Sequence, residues 1–479
     1  MMTFRNYING EWVSGDTFED RNPANTEEIV GLFVKGSPAD VTAAADAAAA
    51  AFPGWSSMTA PARGNYLYKV ADILERKFDE IGADMTREEG KTLPEAKGEV
   101  RRAINIFRYF GGEGSRLPGL LVPSERERVH MFAIRKAIGV IGLVTPWNFP
   151  IAIPAWKMAP ALICGNTIVV KPASVSPLCA WRIVEACHEA GIPKGVVNFV
   201  AGSGSTLGKA LVEAKPLKAI SFTGSCDVGR WLHAEASKRS LRIQLEMGGK
   251  NPTIVLADAD FGSAVENVVN AAFFSTGQKC TATSRAIVED AIYDKFVDAL
   301  TERTKKLKVG DGMKPGIDIG PAVDQGQLDT DLKYIEIGKK EGARLCTGGN
   351  RLTGGDYDKG YFVEPTVFAD VTEDMTIAKE EIFGPVLAVM RAKDFEDAMR
   401  IANNTPMGLS ASVQTTNVSR VFDFVYRMEA GLLTVNLPSA GVEYQLPFGG
   451  TKESSFGPKE QGPAALDFYS DYKTVYLKY

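Results

Sequence analysis

Gly139-Val140-Ile141-Gly142-Leu143-Val144-Thr145, followed by Thr167-Ile168-Val169-Val170-Lys171, decides the architecture. Both are short β-rich runs, and an amphipathic helical stretch separates them. The same texture recurs at 196–201, 219–222 and 243–246. Strands that alternate with helices in this way build a parallel sheet covered on both faces. Ligands of such sheets gather at the carboxyl ends of the strands, and the unusual residues of this chain are expected there. A second round begins at 252–256 and continues through 292–307 and 378–387, so a second α/β domain starts near residue 250.

Toward the N-terminus, Tyr7-Ile8-Asn9-Gly10-Glu11-Trp12-Val13 sets Asn-Gly between apolar residues, a hairpin signal. Leu67, Val70, Leu74, Phe78 and Ile81 recur at three- and four-residue spacings and predict one helix over 61–81. A further helix is expected at 94–110 and another over the alanine run 43–51. The chain has no internal repeat and no low-complexity tract.

At 479 residues the chain exceeds what one core supports, so two or three domains are expected. Its 45% apolar and 24% charged residues are those of a globular protein. A net charge of -5 without any Lys/Arg block excludes a nucleic-acid binder. The start lacks the basic and apolar segments of a signal peptide, and the apolar stretch 137–170 is broken by Asn148, four prolines and Lys157. A cytoplasmic protein with no membrane partner is expected. Six cysteines without a CxxC pair disfavour a metal site and a disulfide framework.

Cys280 lies in Ser275-Thr276-Gly277-Gln278-Lys279-Cys280-Thr281, where small, polar residues and a preceding lysine suit an accessible thiol with a favoured thiolate. A bare free cysteine is more often core filler. None of the three histidines, His130, His188 and His233, has a catalytic context, so a nucleophilic cysteine needs another base. Glu246 ends an apolar strand just before Met247-Gly248-Gly249-Lys250. It is either a solvated strand end or a desolvated carboxylate that activates water. Asn148, in Thr145-Pro146-Trp147-Asn148-Phe149-Pro150, is a turn residue or an amide donor to an oxyanion. Two glycine turns, Gly202-Ser203-Gly204 running to Gly208 and Thr223-Gly224-Ser225 with Gly229, each open a helix whose N-terminus suits a pyrophosphate.

Together with Gly165-Asn166-Thr167, Lys171-Pro172, Glu380-Glu381-Ile382-Phe383-Gly384-Pro385 and Pro447-Phe448-Gly449-Gly450, these segments resemble the aldehyde dehydrogenase superfamily in order and over nearly the whole chain. The resemblance implies an α/β fold of two doubly wound parallel-sheet domains. A cofactor-binding domain would take 1–116 and 137–248, and a thiol domain 249–449. A small β oligomerisation element would combine 117–136 with 465–479, which implies a homodimer or homotetramer. It also implies that Cys280 attacks an aldehyde, that Asn148 and the Cys280 N–H hold the oxyanion, that hydride passes to a nicotinamide, and that Glu246 activates water against the thioester. Thr145, Trp147, Lys171, Ser174, Gly204, Gly208, Ser225, Val228, Glu381 and Phe383 would hold the cofactor.

Ser174 stands where many NAD-preferring members carry glutamate, so NADP is expected to be tolerated or preferred. Within the superfamily the sequence is most similar to dehydrogenases of 2-oxoglutarate semialdehyde. The segments behind this are 86–99 (Thr86-Arg87-Glu88-Glu89-Gly90-Lys91 through Glu99), Gln278-Lys279-Cys280-Thr281-Ala282-Thr283-Ser284-Arg285, and Ser439-Ala440-Gly441-Val442-Glu443 with Pro447-Phe448-Gly449-Gly450. The rival readings are a succinate semialdehyde dehydrogenase, a broad-specificity enzyme of simple aliphatic or hydroxy-aldehydes, a CoA-acylating enzyme, against which Glu246 argues, and an inactive binding protein of the same fold. Phe149, Trp156, Phe274 and Ser439 are expected to line the substrate tunnel. Arg108 is expected to meet a substrate carboxylate, because Phe274 stands where relatives acting on semialdehyde acids often have arginine.

Overall fold

The computed structural model describes residues 2–479. Its first sheet has eight strands in the order Ser455–Phe456, Arg242–Glu246, Leu217–Thr223, Val140–Val144, Thr167–Lys171, Val197–Phe199, Asn6–Ile8 and Glu11–Val13. The five central strands are parallel, with Val140–Val144 flanked by the strand that follows it on one side and by a later strand on the other. The strand order therefore reverses beside Val140–Val144, and the crevice opens there, between 145–148 and 223–225. The hairpin at Asn9 and Gly10 has both residues at positive φ, 52° and 82°, as a two-residue turn of this type requires.

The second sheet has seven strands, in the order Arg344–Thr347, Thr366–Ala369, Val386–Ala392, Arg285–Glu289, Pro252–Val255, Ser410–Gln414 and Leu432–Val435. All but the first pairing are parallel. A further sheet is separate from both: Ser470–Lys478 runs antiparallel to Val129–Ala137, which pairs with Leu120–Val122. After the second sheet is complete the chain returns to the first, where Ser455–Phe456 pairs with Arg242–Glu246.

The predicted helix 61–81 is two helices, Ala60–Arg76 and Phe78–Glu89, broken at Lys77. Asp79 and Glu80 begin the second helix, where acidic side chains favour a helix start. The Lys77 ammonium is held by Glu185 and Glu189 of a neighbouring helix, which fixes the corner. Helix Leu93–Glu113 buries Ala96, Val100, Ala103, Ile104, Phe107 and Phe110, each aromatic ring contributing about 2 kcal/mol by its removal from water. Thr92 and Glu95 cap it reciprocally. None of the described helices is long and apolar enough to cross a membrane.

Candidate active site

The side chains singled out in the sequence come from loops of both large sheets. Thr145, Trp147 and Asn148 follow Val140–Val144, Lys171 ends its strand, Ser225 opens helix Cys226–Ser237, and Glu246 ends Arg242–Glu246. All of these lie at carboxyl ends of the first sheet. Cys280 does not follow that rule. It lies on the loop between helix Phe261–Phe273 and strand Arg285–Glu289, at the amino end of a second-sheet strand, facing the carboxyl edge of the first sheet.

The thiol loop is tightly anchored. Ser275 and Thr276 adopt left-handed φ of 54° and 56°, a strained conformation for side-chain-bearing residues that surrounding contacts must hold. Glu95 Oε1 accepts from the Ser275 N–H (2.8 Å) and hydroxyl (3.1 Å), so the capping residue of one helix also clamps this loop. Thr276 Oγ1 donates to Gly320 O at 3.0 Å, and the Val323 N–H donates to Gln278 Oε1 at 2.9 Å. Asn251 Nδ2 donates to Cys280 O at 2.8 Å.

Two cavities meet at Cys280, the one residue common to both linings. The first, of about 210 Å³, is walled by Trp147, Asn148, Thr223, Ser225, Gln327, Glu381 and Phe383 among others. The second, of about 320 Å³, is walled by Phe149, Trp156, Phe274, Lys279, Phe448 and Arg102 among others. Burial pushes the thiol up to about 12, with the Glu246 and Glu381 carboxylates adding to the rise. Lys279 does not offset this: its Nζ donates to Asn270 O at 3.1 Å, and burial lowers its pKa to about 8. The thiolate expected from the preceding lysine is therefore not favoured in the free protein.

Asn148 is buried, and its Nδ2 donates to Gln278 O at 3.0 Å. Lys91 holds the backbone beneath it, with Nζ donating to Asn148 O at 2.8 Å and to Glu99 Oε2 at 2.6 Å. Glu99 Oε1 in turn accepts from the Ile151 and Ala152 N–H groups at the start of the next helix. The amide is thus mounted on a buried ion pair rather than on a free turn.

Glu246 is buried, and its pKa lies well above the carboxylate range, because of burial first and the Glu460 carboxylate second. Ser455 Oγ donates to its Oε2 at 2.5 Å, and Gln244 Nε2 donates to its Oε1 at 3.3 Å. The polar chain continues inward: Ser221 Oγ donates to Gln244 Oε1 at 2.7 Å, Lys157 Nζ donates to Ser221 Oγ at 2.8 Å, and Lys157 also bonds Glu460. Lys157, the one charge in an otherwise apolar helix, carried a sequence signal for such a network that its neighbours did not.

On the first-cavity side, Glu381 accepts from the Gly249 N–H at 2.9 Å, and burial raises it to about 7. A Cβ at Gly248 would stand 1.9 Å from Glu381 Oε2, so any side chain there displaces that carboxylate. Phe383, at φ 63°, meets Trp147 edge-on at 5.3 Å. Lys171 is buried with a single bond, to Pro172 O at 2.8 Å, and burial lowers it to about 8. Thr145 and Thr223 keep buried hydroxyls without partners. Gly204 and Gly208 lie on helix Gly204–Glu213, near Lys171 and Trp231 respectively, and Val228 is exposed on the next helix. Ser174 is exposed. Orphan hydroxyls, an unpaired lysine and a glycine cradle beside a helix start fit a dinucleotide.

Two of the expected tunnel residues lie elsewhere. Arg108 is on the outer face of its helix, paired with Asp72 and Glu75 and 43% exposed. It points away because the buried stripe of that helix runs through Ala103, Ile104 and Phe107. Ser439 is fully buried behind the cavity wall, donating to Thr281 O at 2.7 Å and paired with Thr283 Oγ1 at 2.8 Å. It carries the adjacent Ala440, Gly441 and Val442, which do line the cavity. The histidines are all remote, with His188 on Tyr7, His130 on Tyr479 and His233 on Phe456.

The sequence profile of the aldehyde dehydrogenase family matches residues 12–475. This chain belongs to that family. The enzyme is 50% identical over 99% of its length to the alpha-ketoglutaric semialdehyde dehydrogenase of Bacillus subtilis, of which the match covers 98%. It is 44% identical over 97% of its length to the 2,5-dioxopentanoate dehydrogenase of Saccharolobus solfataricus, covering 98% of that protein. Among solved structures, the betaine aldehyde dehydrogenase of Staphylococcus aureus in complex with NAD+ superposes with a TM-score of 0.97 at 33% identity, covering 100% of this chain and 95% of that one. The chain is accordingly an aldehyde-oxidising oxidoreductase of the α/β aldehyde dehydrogenase fold.

Proposed function

We propose that this enzyme oxidises 2-oxoglutarate semialdehyde to 2-oxoglutarate with NAD or NADP. The substrate rests on the 50% identity, spread over the whole chain, to a relative named for that aldehyde. Lys171, Ser225, Glu381 and Phe383 would hold the dinucleotide, with Trp147 beside Phe383. When bound, the nicotinamide supplies the two-electron acceptor.

The chemistry of the protein groups follows from the site. Cys280 Sγ attacks the aldehyde carbon from the floor shared by the two cavities. Asn148 Nδ2 leaves Gln278 O and, with the Cys280 N–H, donates to the oxyanion of the thiohemiacetal. Because the thiol rests protonated, a base must take its proton. After burial, Glu246 is the carboxylate that raises the thiol most, and its own raised pKa matches it to that task and to activating water against the thioester. The chain through Gln244, Ser221 and Lys157 to Glu460 holds the Glu246 carboxylate in place from behind. With Ser174 exposed and no carboxylate in its place, a 2'-phosphate meets no repulsion there.

We also assign the three-stranded sheet of 120–122, 129–137 and 470–478 to the interface of a homodimer or homotetramer. Leu121, Tyr476 and Leu477 are exposed on it, and the outer edge of Leu432–Val435 in the second sheet has no strand beside it. Leu121→Glu is expected to lower the mass measured by light scattering, and an unchanged mass would remove this sheet from the interface.

The test of substrate is kcat/KM for 2-oxoglutarate semialdehyde, succinate semialdehyde and pentanal, each with NAD and with NADP. A clear preference for the first supports the reading, and equal values for all three overturn it.

A further inference from the structure

Arg102 is the cation of the second cavity that the rest of the protein leaves unanswered. It lies on helix Leu93–Glu113, half-buried, and lines the same cavity as Cys280. Its guanidinium stacks over the Trp156 ring at 5.5 Å. Its single hydrogen bond is from Nη2 to Gln461 Oε1 at 3.3 Å, and its Nε is buried without any partner. Gln461 Nε2, next to it, is also a buried donor without a partner. Among the described residues no carboxylate forms an ion pair with Arg102.

The acids nearby are committed or too far. Glu95 lines the cavity, but its two oxygens are taken by Thr92 and Ser275. Burial lowers the Arg102 pKa; Glu99, the first charge opposing this, is spent on Lys91 and the Ile151 and Ala152 N–H groups, and Glu443 is exposed and makes no ion pair with Arg102. Lys279, the other cation of the cavity, is satisfied by a neutral carbonyl. The cavity therefore presents two basic side chains and no free acid. A guanidinium with a buried, unbonded Nε and one long hydrogen bond, its free end turned to the cavity, is poorly completed by the protein alone, and packing against Trp156 would be served as well by an apolar side chain.

We infer that Arg102 binds the carboxylate of the substrate and, through it, sets the length and charge of the aldehydes the enzyme accepts. The lining suits the role: the thiol, the aromatic rings of Phe149, Trp156, Phe274 and Phe448, and the planar fork of Arg102 face one cavity. A substrate with an aldehyde at one end and a carboxylate at the other would span it. The inference rests on the proposed substrate class, and it names the residue that recognises it.

The experiment measures the ratio of kcat/KM for 2-oxoglutarate semialdehyde to that for pentanal, in wild type, Arg102→Met and Arg102→Lys. Wild type is expected to favour the acid, and Arg102→Met to reduce the ratio about 100-fold, mainly through KM for the acid. Arg102→Lys keeps the charge and the packing if the methionine variant does not fold, and its ratio is expected to fall about tenfold because an ammonium cannot make the paired contact. A wild type that favours the acid, with variants that keep the ratio, overturns the role of Arg102 and leaves the substrate standing. A wild type without preference overturns both.

Discussion

Ser455 donates a hydrogen bond to Glu246, Oγ to Oε2 at 2.5 Å, from the short strand that the chain returns to the first sheet after completing the second. The base proposed for deacylation is thus tuned by a residue more than 200 positions away in sequence. That bond favours the charged form and opposes the rise caused by burial and Glu460.

Removing it should raise the pKa of Glu246 further. Since the carboxylate acts deprotonated, the rising limb of kcat against pH is expected to move to higher pH in Ser455→Ala. A limb that stays in place would separate Ser455 from the base. Glu246→Gln should lose steady-state turnover by roughly 10²-fold or more and also slow the burst of reduced cofactor, because the carboxylate takes the thiol proton before acylation and activates water after it; a burst at the wild-type rate would confine Glu246 to the water step.

Asn148→Ala removes the side-chain donor proposed for the oxyanion. Its kcat/KM is expected to fall about 10²- to 10³-fold, near 3 kcal/mol of barrier, with cofactor affinity little changed. Fluorescence titration of the cofactor alongside steady-state kinetics checks both halves.

Gly248→Ala puts a Cβ where Glu381 Oε2 now stands, at 1.9 Å. The carboxylate must move. A displacement of that order is expected to lower kcat by as much as 10²-fold through misplaced cofactor, with the melting temperature nearly preserved. Unchanged kinetics would show that Glu381 does not orient the nicotinamide end.

Ser174→Glu introduces the carboxylate missing from this position. The ratio of kcat/KM with NADP to that with NAD should drop at least tenfold, through repulsion of the 2'-phosphate. An unmoved ratio would place the discrimination elsewhere, with Lys171 the first residue to examine.

The strands of the first sheet were readable because β-branched runs of five residues have few alternatives, and Thr167–Lys171 matches its sequence reading residue for residue. Arg108 was not, and the reason is rotational. Residues 102 and 108 are six apart, about 120° around a helix, so one faces the cavity and the other the solvent. Sequence spacing identifies the helix but only the packing of Ala103, Ile104 and Phe107 identifies its inner side. The lysine before Cys280 misled for a related reason. A neighbour in sequence need not be a neighbour in space, and Lys279 turns to Asn270. The break at Lys77 had a signal in Asp79 and Glu80, which the continuous apolar stripe concealed.

Because the two cavities have only Cys280 in common, the proposed assignment gives the redox partner and the carbon substrate separate sets of side chains. A change in the walls around Phe274 and Phe448 can redirect the enzyme to another aldehyde while the grip on the electron acceptor is untouched. The scaffold is in that sense modular: a lineage can exchange what it burns without rebuilding how it stores the electrons.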